Sequence, residues 1–93
     1  MVSKKVTVVD DTGLHLRPAG ILCKEAGKYV CKIEIKTQKG IANAKSILSV
    51  LGACVKKDTE IELICDGEDE EKALEELSEL IENGLGEDFK INE

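Results

Sequence analysis

The sequence predicts a two-layer α+β domain in which helices cover one face of an antiparallel sheet. Residues 30–37 and 59–65 alternate between apolar and charged side chains, which is typical of strands with one face in water. Residues 70–83 instead repeat apolar residues at helical spacing. Strand and helix signals follow one another in the order β-α-β-β-α-β-α, and 93 residues suffice for one such domain.

The first part of the chain predicts a strand, a turn and a helix. Residues 4–9 are rich in β-branched side chains, and residues 10–13 (DDTG) predict a turn. A helix is predicted over residues 17–28, with Pro18 in its first turn, where the missing N–H of proline costs nothing. Its apolar stripe consists of Ala19, Leu22, Cys23 and Ala26.

The middle of the chain predicts a hairpin followed by a short helix. Residues 30–37 form its first strand, residues 38–40 its turn, and residues 41–44 a short return strand. The following helix covers residues 47–52. Ser46 is its predicted N-cap and Gly52 its predicted end.

The last part of the chain predicts a strand and the clearest helix. The strand of residues 59–65 ends in a turn at Asp66 and Gly67. Asp69 is the predicted cap of the helix over residues 70–83, and Gly84 its predicted end. No pattern follows, so we expect a domain over residues 1–85 and a C-terminal tail over residues 86–93.

Composition excludes several classes of function. Hydrophobic residues make up 42% of the chain and aromatic residues 2%, which predicts an aliphatic core. A net charge of −6 argues against direct binding of nucleic acid or of anionic membranes. No apolar run reaches the roughly 20 residues of a membrane-spanning helix, and no signal peptide is evident. We therefore expect a cytoplasmic protein without membrane insertion.

The four cysteines raise the question of a disulfide or a metal site. They are widely spaced, no two form a C-x-x-C pair, and the chain has a single histidine. Zinc sites usually show a close pair of ligands, and disulfide frameworks belong to secreted proteins. The interpretation is therefore of reduced, mostly buried thiols, with no metal and no cofactor. A thiol or metal protein remains the alternative.

The segment from Gly13 to Ala19 (GLHLRPA) combines a turn, a histidine and the start of a helix. The first N–H groups of a helix lack internal partners and carry partial positive charge, which makes this a local anion site even on an acidic protein. A neutral imidazole such as that of His15 is a nucleophile toward phosphorus. Arg17 could pair with phosphate oxygens through its planar guanidinium. The alternative is an ordinary helix start with two exposed polar residues.

Ser46 is the second residue of interest. An isolated serine at this position is usually only a helix cap. As a phosphorylation site it would place about two negative charges at the start of a helix, which tolerates them electrostatically. The following segment, ILSVL, is apolar over more than half of its circumference, so an exposed apolar patch is expected there.

At this point the chain resembles the HPr family, the histidine-containing phosphocarrier proteins of the bacterial phosphoenolpyruvate-dependent sugar phosphotransferase system. The resemblance covers about residues 4–85. Three segments carry it in the same order and spacing: GLHLRPAG, NAKSILSVLGA and DGEDEEKALEEL. The family fold would be an open-faced β-sandwich with strand order 1-4-2-3 and three helices on one face.

The resemblance also implies functions for individual residues. His15 would accept a phosphoryl group through Nδ1 from phosphorylated enzyme I and pass it to A domains of enzymes II. Arg17 would assist, and Leu16, Arg17 and Pro18 would form the phosphate-binding helix start. Ser46 would be the substrate of an HPr kinase/phosphorylase, and its phosphorylated form would bind a catabolite control protein.

The remaining implications concern partners. The partner-binding surface would comprise Gly20, Lys24, Ile47, Leu48 and Leu51. Such a protein would be a monomeric carrier rather than a stand-alone enzyme, because most of the catalytic machinery lies in its partners. The alternative on the same fold is a regulatory binding module that acts mainly through phosphorylated Ser46. Leu16 departs from the family, which usually has a small or polar residue there, and this affects the expected docking of partners.

Overall fold

A computed structural model describes residues 1–85, so the predicted tail of residues 86–93 lies outside the described part. Four strands form a sheet in the order β1-β4-β2-β3, and every neighbouring pair is antiparallel. The elements are β1 (Val2–Thr7), α1 (Leu16–Ala26), β2 (Lys32–Thr37), β3 (Gly40–Asn43), α2 (Ile47–Gly52), β4 (Glu60–Asp66) and α3 (Glu70–Glu82). The predicted α+β fold, element order and sheet order are confirmed.

The core lies between the sheet and the helices. The alternation in β2 and β4 buries every second side chain, as the sequence predicts. The inward side chains of the strands contact the buried stripes of α1 and α3, and all members of this core are aliphatic or small. They include Val6, Leu22, Ile33, Ile35, Ile61, Leu63, Leu77 and Ile81. The opposite face of the sheet is covered by no described helix.

The first strand lies earlier than the sequence predicts. The prediction gives residues 4–9, whereas β1 covers Val2–Thr7 and pairs with β4 from Val2 opposite Cys65 to Thr7 opposite Glu60. Val8 is nevertheless fully buried, and its N–H donates to the carbonyl of Thr59 at 3.0 Å. Val6 and Val8 are therefore both buried, as predicted, but the regular pairing of β1 with β4 ends at Thr7, before Val8.

Asp69 is the N-cap residue of the last helix, at the predicted position. Asp69 precedes α3, but its side chain makes no cap hydrogen bond to that helix. Its carboxylate instead accepts hydrogen bonds from the N–H groups of Val30 and Cys31, at 3.0 and 2.9 Å. Asp69 thus ties the start of β2 to the start of α3, a long-range contact that local sequence does not reveal.

Among residues 1–85, no helix is both long and apolar enough to cross a membrane.

Candidate functional site

His15 is the residue immediately before α1. Its backbone is extended, with φ −86° and ψ −168°, and its carbonyl accepts the first helical hydrogen bond from the N–H of Ala19 at 2.8 Å. The imidazole is exposed and makes no cap hydrogen bond to the helix. His15 therefore stands at the positive end of α1 with a ring that solvent or a partner can reach.

The start of α1 offers hydrogen-bond donors to an anion beside His15. Pro18 has no N–H, and no acidic residue occupies the first turn. Within residues 1–85, the N–H groups of Leu16 and Arg17 donate to no other group. Unpaired donors of this kind, together with the helix dipole, are what binds phosphate groups at helix starts.

Arg17 adds a charge to this position. Its side chain is exposed, and none of the ion pairs formed within the described part of the chain involves it. A guanidinium that is not committed to a carboxylate keeps its planar set of donors for phosphate oxygens. The predicted trio of His15, Leu16 and Arg17 is therefore brought together at one helix end.

The loop before His15 is held in place by Val55, a residue that is distant in sequence. The N–H of Leu14 donates to the carbonyl of Val55 at 2.9 Å, and the Leu14 side chain is buried. Gly13 has φ +67°, and a Cβ built on it would lie 2.2 Å from the same Val55 oxygen. Only glycine fits both the backbone angle and the space. His15 is thus anchored by the segment between α2 and β4.

Sequence reasoning missed this contribution of Val55. A backbone carbonyl leaves no mark in the residue type, so the pattern held no signal for it. The same segment contains Cys54 and Asp58, both non-glycine residues with positive φ, at 54° and 67°. Asp58 also donates its N–H to the carbonyl of Val8 at 2.7 Å, which holds this segment against the end of β1.

Ser46 is the N-cap of α2, as predicted. Its backbone is extended, and its Oγ accepts a hydrogen bond from the N–H of Ser49 at 3.3 Å. Ser46 also donates its own N–H to the carbonyl of Asn43 at 3.0 Å. The side chain is half-buried, so the hydroxyl caps the helix and remains partly accessible to solvent.

The predicted partner surface joins α1 to α2. A Cβ built on Gly20 would lie 3.8 Å from Cδ1 of Ile47, so the two helices meet there. Leu48 is 79% exposed, whereas Leu51 is half-buried and packs against the core. Lys24 is exposed in the last turn of α1. Lys24, Ile47 and Leu48 are thus accessible, whereas Gly20 and Leu51 are half-buried.

The four cysteines lie in different surroundings. Cys31 and Cys65 are buried, Cys23 is half-buried, Cys54 is exposed, and all four are free thiols. Burial raises the pKa of Cys23 and Cys31, and it raises the pKa of Cys65 to about 12, which disfavours reactive thiolates. In the described part of the chain, no group of three or more metal-ligating side chains could hold a metal ion.

A cavity of about 690 Å³ lies between β1 and α3, away from the predicted residues. Its lining includes Lys4, Leu74 and several glutamates of α3, and none of the predicted site residues. A reaction at the exposed His15 needs no cavity of its own, since the reacting group can arrive on the surface of a partner.

Known proteins place the chain in a family. The family described as "PTS HPr component phosphorylation site" matches residues 2–83. The phosphocarrier protein HPr of Lysinibacillus sphaericus is 41% identical over 86 residues, which cover 91% of this chain and 98% of that protein. The HPr-like protein Crh of Bacillus subtilis (strain 168) is 38% identical over 82 residues, covering 88% and 96%.

The fold agrees with this assignment. The crystal structure of HPr from Thermoanaerobacter tengcongensis superposes with a TM-score of 0.89 at 33% identity, covering 94% of this chain and 98% of that one. Sequence and fold thus agree along nearly the whole length, and the chain belongs to the HPr family, the phosphocarrier proteins of the phosphotransferase system.

Proposed function

We propose that this protein accepts a phosphoryl group on His15 from phosphorylated enzyme I and donates it to A domains of enzymes II. The observation that supports this most directly is the position of His15 at the start of α1. There an exposed imidazole lies beside two N–H groups and an uncommitted guanidinium. These groups offer a nucleophile and donors to one phosphate at the same point of the surface.

The transfer needs only chemistry that these residues supply. The lone pair of Nδ1 attacks phosphorus as the bond between phosphorus and the donor's side chain breaks, which leaves the donor free and His15 phosphorylated. Negative charge on the transferred group is spread over its three outer oxygens. The N–H groups of Leu16 and Arg17 and the Arg17 guanidinium stabilise that charge. The same step in reverse passes the group to the acceptor.

The carrier has few catalytic parts because its partners supply the rest. Phosphoryl transfer depends chiefly on positioning and charge stabilisation. A small exposed site allows two different proteins to reach the same nitrogen in turn. The proposal includes a cytoplasmic location and a monomeric protein that presents this one face to each partner.

Regulation at Ser46 is the second part of the proposal. An HPr kinase/phosphorylase would add a phosphoryl group to Oγ of Ser46, and the product would bind a catabolite control protein. Support comes from the half-buried hydroxyl at the start of α2 and from the exposed apolar residues that follow it, Ile47 and Leu48. About two added charges beside an apolar surface would change which proteins dock there.

The decisive experiment measures phosphorylation directly. The protein is incubated with enzyme I, phosphoenolpyruvate and magnesium, and its intact mass is compared with that of a His15→Ala variant. We expect one phosphoryl group on the wild type, lost in acid, and none on the variant. An unmodified wild-type protein in the presence of enzyme I that is active on another HPr would refute the carrier function.

A regulatory binding module is the alternative function. The similarity to the HPr-like protein Crh and the position of Ser46 favour it as the second candidate. Such a module would act through phosphorylated Ser46 and would need no phosphoryl group on His15. Phosphorylation by HPr kinase and ATP, combined with no modification by enzyme I, would support this alternative over the carrier.

A further inference from the structure

Three residues around the start of α2 form a closed ring of hydrogen bonds. The N–H of Asn43 donates to Oγ of Ser49 at 2.8 Å, and the N–H of Ser49 donates to Oγ of Ser46 at 3.3 Å. The N–H of Ser46 donates in turn to the carbonyl of Asn43 at 3.0 Å. Each residue of the ring therefore donates to one of the other two and accepts from the other.

This ring attaches α2 to the edge of the sheet. Asn43 is the last residue of β3, which is the outermost strand on its side. The N–H groups of an edge strand point alternately toward the neighbouring strand and away from the sheet. The N–H of Ala44 donates to the carbonyl of Ile33 at 2.9 Å. The N–H of Asn43 points the other way, and the hydroxyl of Ser49 accepts it.

Ser49 contributes to this attachment and not to the helix itself. Serine is a poorer helix former than alanine, because its hydroxyl competes for nearby backbone groups. Ser49 lies inside α2, but its hydroxyl accepts an N–H from outside the helix, six residues earlier in the chain. The same residue gives its own N–H to Ser46. Ser49 therefore connects the sheet edge to the Ser46 hydroxyl.

The ring determines how Ser46 presents its hydroxyl. A serine hydroxyl has one hydrogen and two lone pairs, and it rotates among staggered positions when nothing holds it. In Ser46 one lone pair accepts the N–H of Ser49, which favours one of these positions. Within residues 1–85 this hydroxyl donates to no group, so its hydrogen and its second lone pair remain available.

Phosphorylation uses the hydrogen and the lone pair that the ring leaves available. The lone pair of Oγ attacks the terminal phosphorus of a nucleoside triphosphate, the bond from that phosphorus to the bridging oxygen breaks, and the nucleoside diphosphate leaves. The hydroxyl proton passes to a base of the kinase. Misplacing a reacting atom by about 1 Å can lower the rate about a hundredfold, so a hydroxyl held in one position reacts faster than a rotating one.

We infer that Ser49 is a positioning residue for the phosphorylation of Ser46, because the hydrogen-bonded ring holds the Ser46 hydroxyl in the orientation that a kinase uses. The inference rests on the proposed regulation at Ser46 and assigns a second serine a function in it. Ser49 takes no part in the transfer itself and acts only through Ser46.

The test measures phosphorylation of Ser46 by an HPr kinase and ATP, with the modified residue located by mass spectrometry of peptides. Ser49→Ala opens the ring, because alanine has no oxygen to accept the N–H of Asn43. Ser49→Thr keeps a hydroxyl and is the conservative variant. Ser78→Ala is the matched control, since it makes the same substitution inside α3, where the Ser78 hydroxyl donates to the carbonyl of Glu75 at 3.1 Å.

We expect the kcat of the kinase for Ser49→Ala to fall about fivefold, as the loss of one hydrogen bond predicts, with a smaller change in KM. Ser49→Thr and Ser78→Ala should keep kcat close to the wild-type value. The NMR couplings between Hα and Hβ of Ser46 should report one rotamer in the wild type and an average over rotamers in Ser49→Ala. Phosphorylation of His15 by enzyme I should be unchanged in all variants.

The choice of alanine separates positioning from helix stability. Alanine is the better helix former, so a lower kcat of Ser49→Ala would not come from weaker helix formation in α2. An equal loss in Ser78→Ala, or an equal loss of phosphorylation at His15, would show a general effect and overturn the inference. A loss in Ser49→Thr as large as that in Ser49→Ala would overturn it too.

Two further outcomes distinguish the inference from the regulation on which it rests. A wild type phosphorylated on Ser46, together with an unchanged kcat for Ser49→Ala, would refute the positioning role and leave the proposed regulation in place. A wild type that is not modified on Ser46 by a kinase active on another HPr would refute the regulation, and the inference would fall with it.

Discussion

Gly13 is a residue on which the geometry of the loop before His15 depends. We expect Gly13→Ala to destabilise the protein by about 2–4 kcal/mol, because its Cβ would collide with the Val55 carbonyl and alanine disfavours a positive φ. The hydrogen bond between Leu14 and Val55 would be displaced with it. Urea denaturation followed by circular dichroism measures the change, and phosphorylation of His15 should slow in the same variant.

Gly20→Ala is the control for this prediction. The added Cβ would lie 3.8 Å from Ile47, an ordinary contact distance, and Gly20 lies within α1. Replacing a helical glycine by alanine stabilises by about 0.5–1 kcal/mol. Equal losses of stability in the two variants would show that the close approach of Gly13 to Val55 is not what matters.

Asp69 makes the stability of the protein depend on pH in the acidic range. Burial acts to raise the pKa of Asp69, but hydrogen bonds from Val30 and Cys31 outweigh it and hold that pKa below its ordinary value. A carboxyl group with a lowered folded-state pKa stabilises the fold above the unfolded-state pKa of about 3.9, and this stabilisation is lost as the pH falls through the folded-state pKa. The Tm of the wild type should therefore fall on acidification, and that of Asp69→Asn should fall less.

Thermal denaturation at neutral pH and at a pH below the folded-state pKa of Asp69 measures this difference. Glu75→Gln is a suitable control, because Glu75 lies exposed on α3. If the Tm of Asp69→Asn and the Tm of Glu75→Gln fall by the same amount on acidification, the hydrogen bonds of Asp69 to Val30 and Cys31 are not the cause of the pH dependence.

At the scale of elements, α2 is capped by one side chain. It has six residues, and the Oγ of Ser46 holds its first turn through the N–H of Ser49. Ser46→Ala should lower stability by about 1 kcal/mol, whereas Ser46→Asp should keep the cap because aspartate is an equally good N-cap residue. Urea denaturation distinguishes the two.

The variants Ser46→Ala and Ser46→Asp also separate the capping function of Ser46 from its proposed regulatory function. Ser46→Asp adds a negative charge beside the exposed side chains of Ile47 and Leu48 while the helix stays capped. The KM of enzyme I should therefore rise for Ser46→Asp and stay close to the wild-type value for Ser46→Ala. A rise in both variants would mean that loss of the hydroxyl, not the added charge, disturbs docking.

Most elements could be predicted because their signals are local. The alternation in β2 and β4 and the apolar stripe of α3 follow from burial on one side, and the structure confirms all three. Ser46 could be identified as a cap because its residue type and position carry that information. The start of α1 could be located from the turn before His15 and from Pro18.

What could not be predicted depends on contacts between distant parts of the chain. Asp69 has the position of a cap, but its carboxylate accepts hydrogen bonds from the N–H groups of Val30 and Cys31, which precede β2 and lie far away in sequence. β1 begins two residues earlier than expected because pairing with β4 extends to Val2. Val55 holds the loop of His15 through a carbonyl, for which no sequence signal exists. The candidate residues were therefore predictable, but the framework that positions them was not.

For the whole molecule, we expect a monomer in solution. The sheet and the three helices enclose the aliphatic core within one chain, so no core face remains for a second copy to cover. Among the large exposed apolar side chains, Val30 and Ile41 lie on different parts of the chain, whereas Ile47 and Leu48 belong to the proposed partner surface. Light scattering at micromolar concentrations should give the mass of one chain, 10.1 kDa. A mass twice as large would contradict this expectation.

The order of the strands in the sheet was predicted by the resemblance to a family and not by the periodicity of the sequence. Alternating patterns predict an antiparallel sheet, but they do not say which strands are neighbours. The order β1-β4-β2-β3 places the first strand beside the last, and only the likeness to the HPr family predicted it. Pairing across more than 50 residues leaves no periodic mark in the sequence.

The uncovered face of the sheet has a practical consequence. Its outward side chains, such as Lys5 and Lys36, lie on the side of the sheet opposite the packed helices. A fluorophore or a surface linker attached to this face would stay clear of the end at which His15 meets its partners. Successive encounters of one immobilised molecule with its donor and its acceptor could then be followed in real time, through a label that neither partner has to displace.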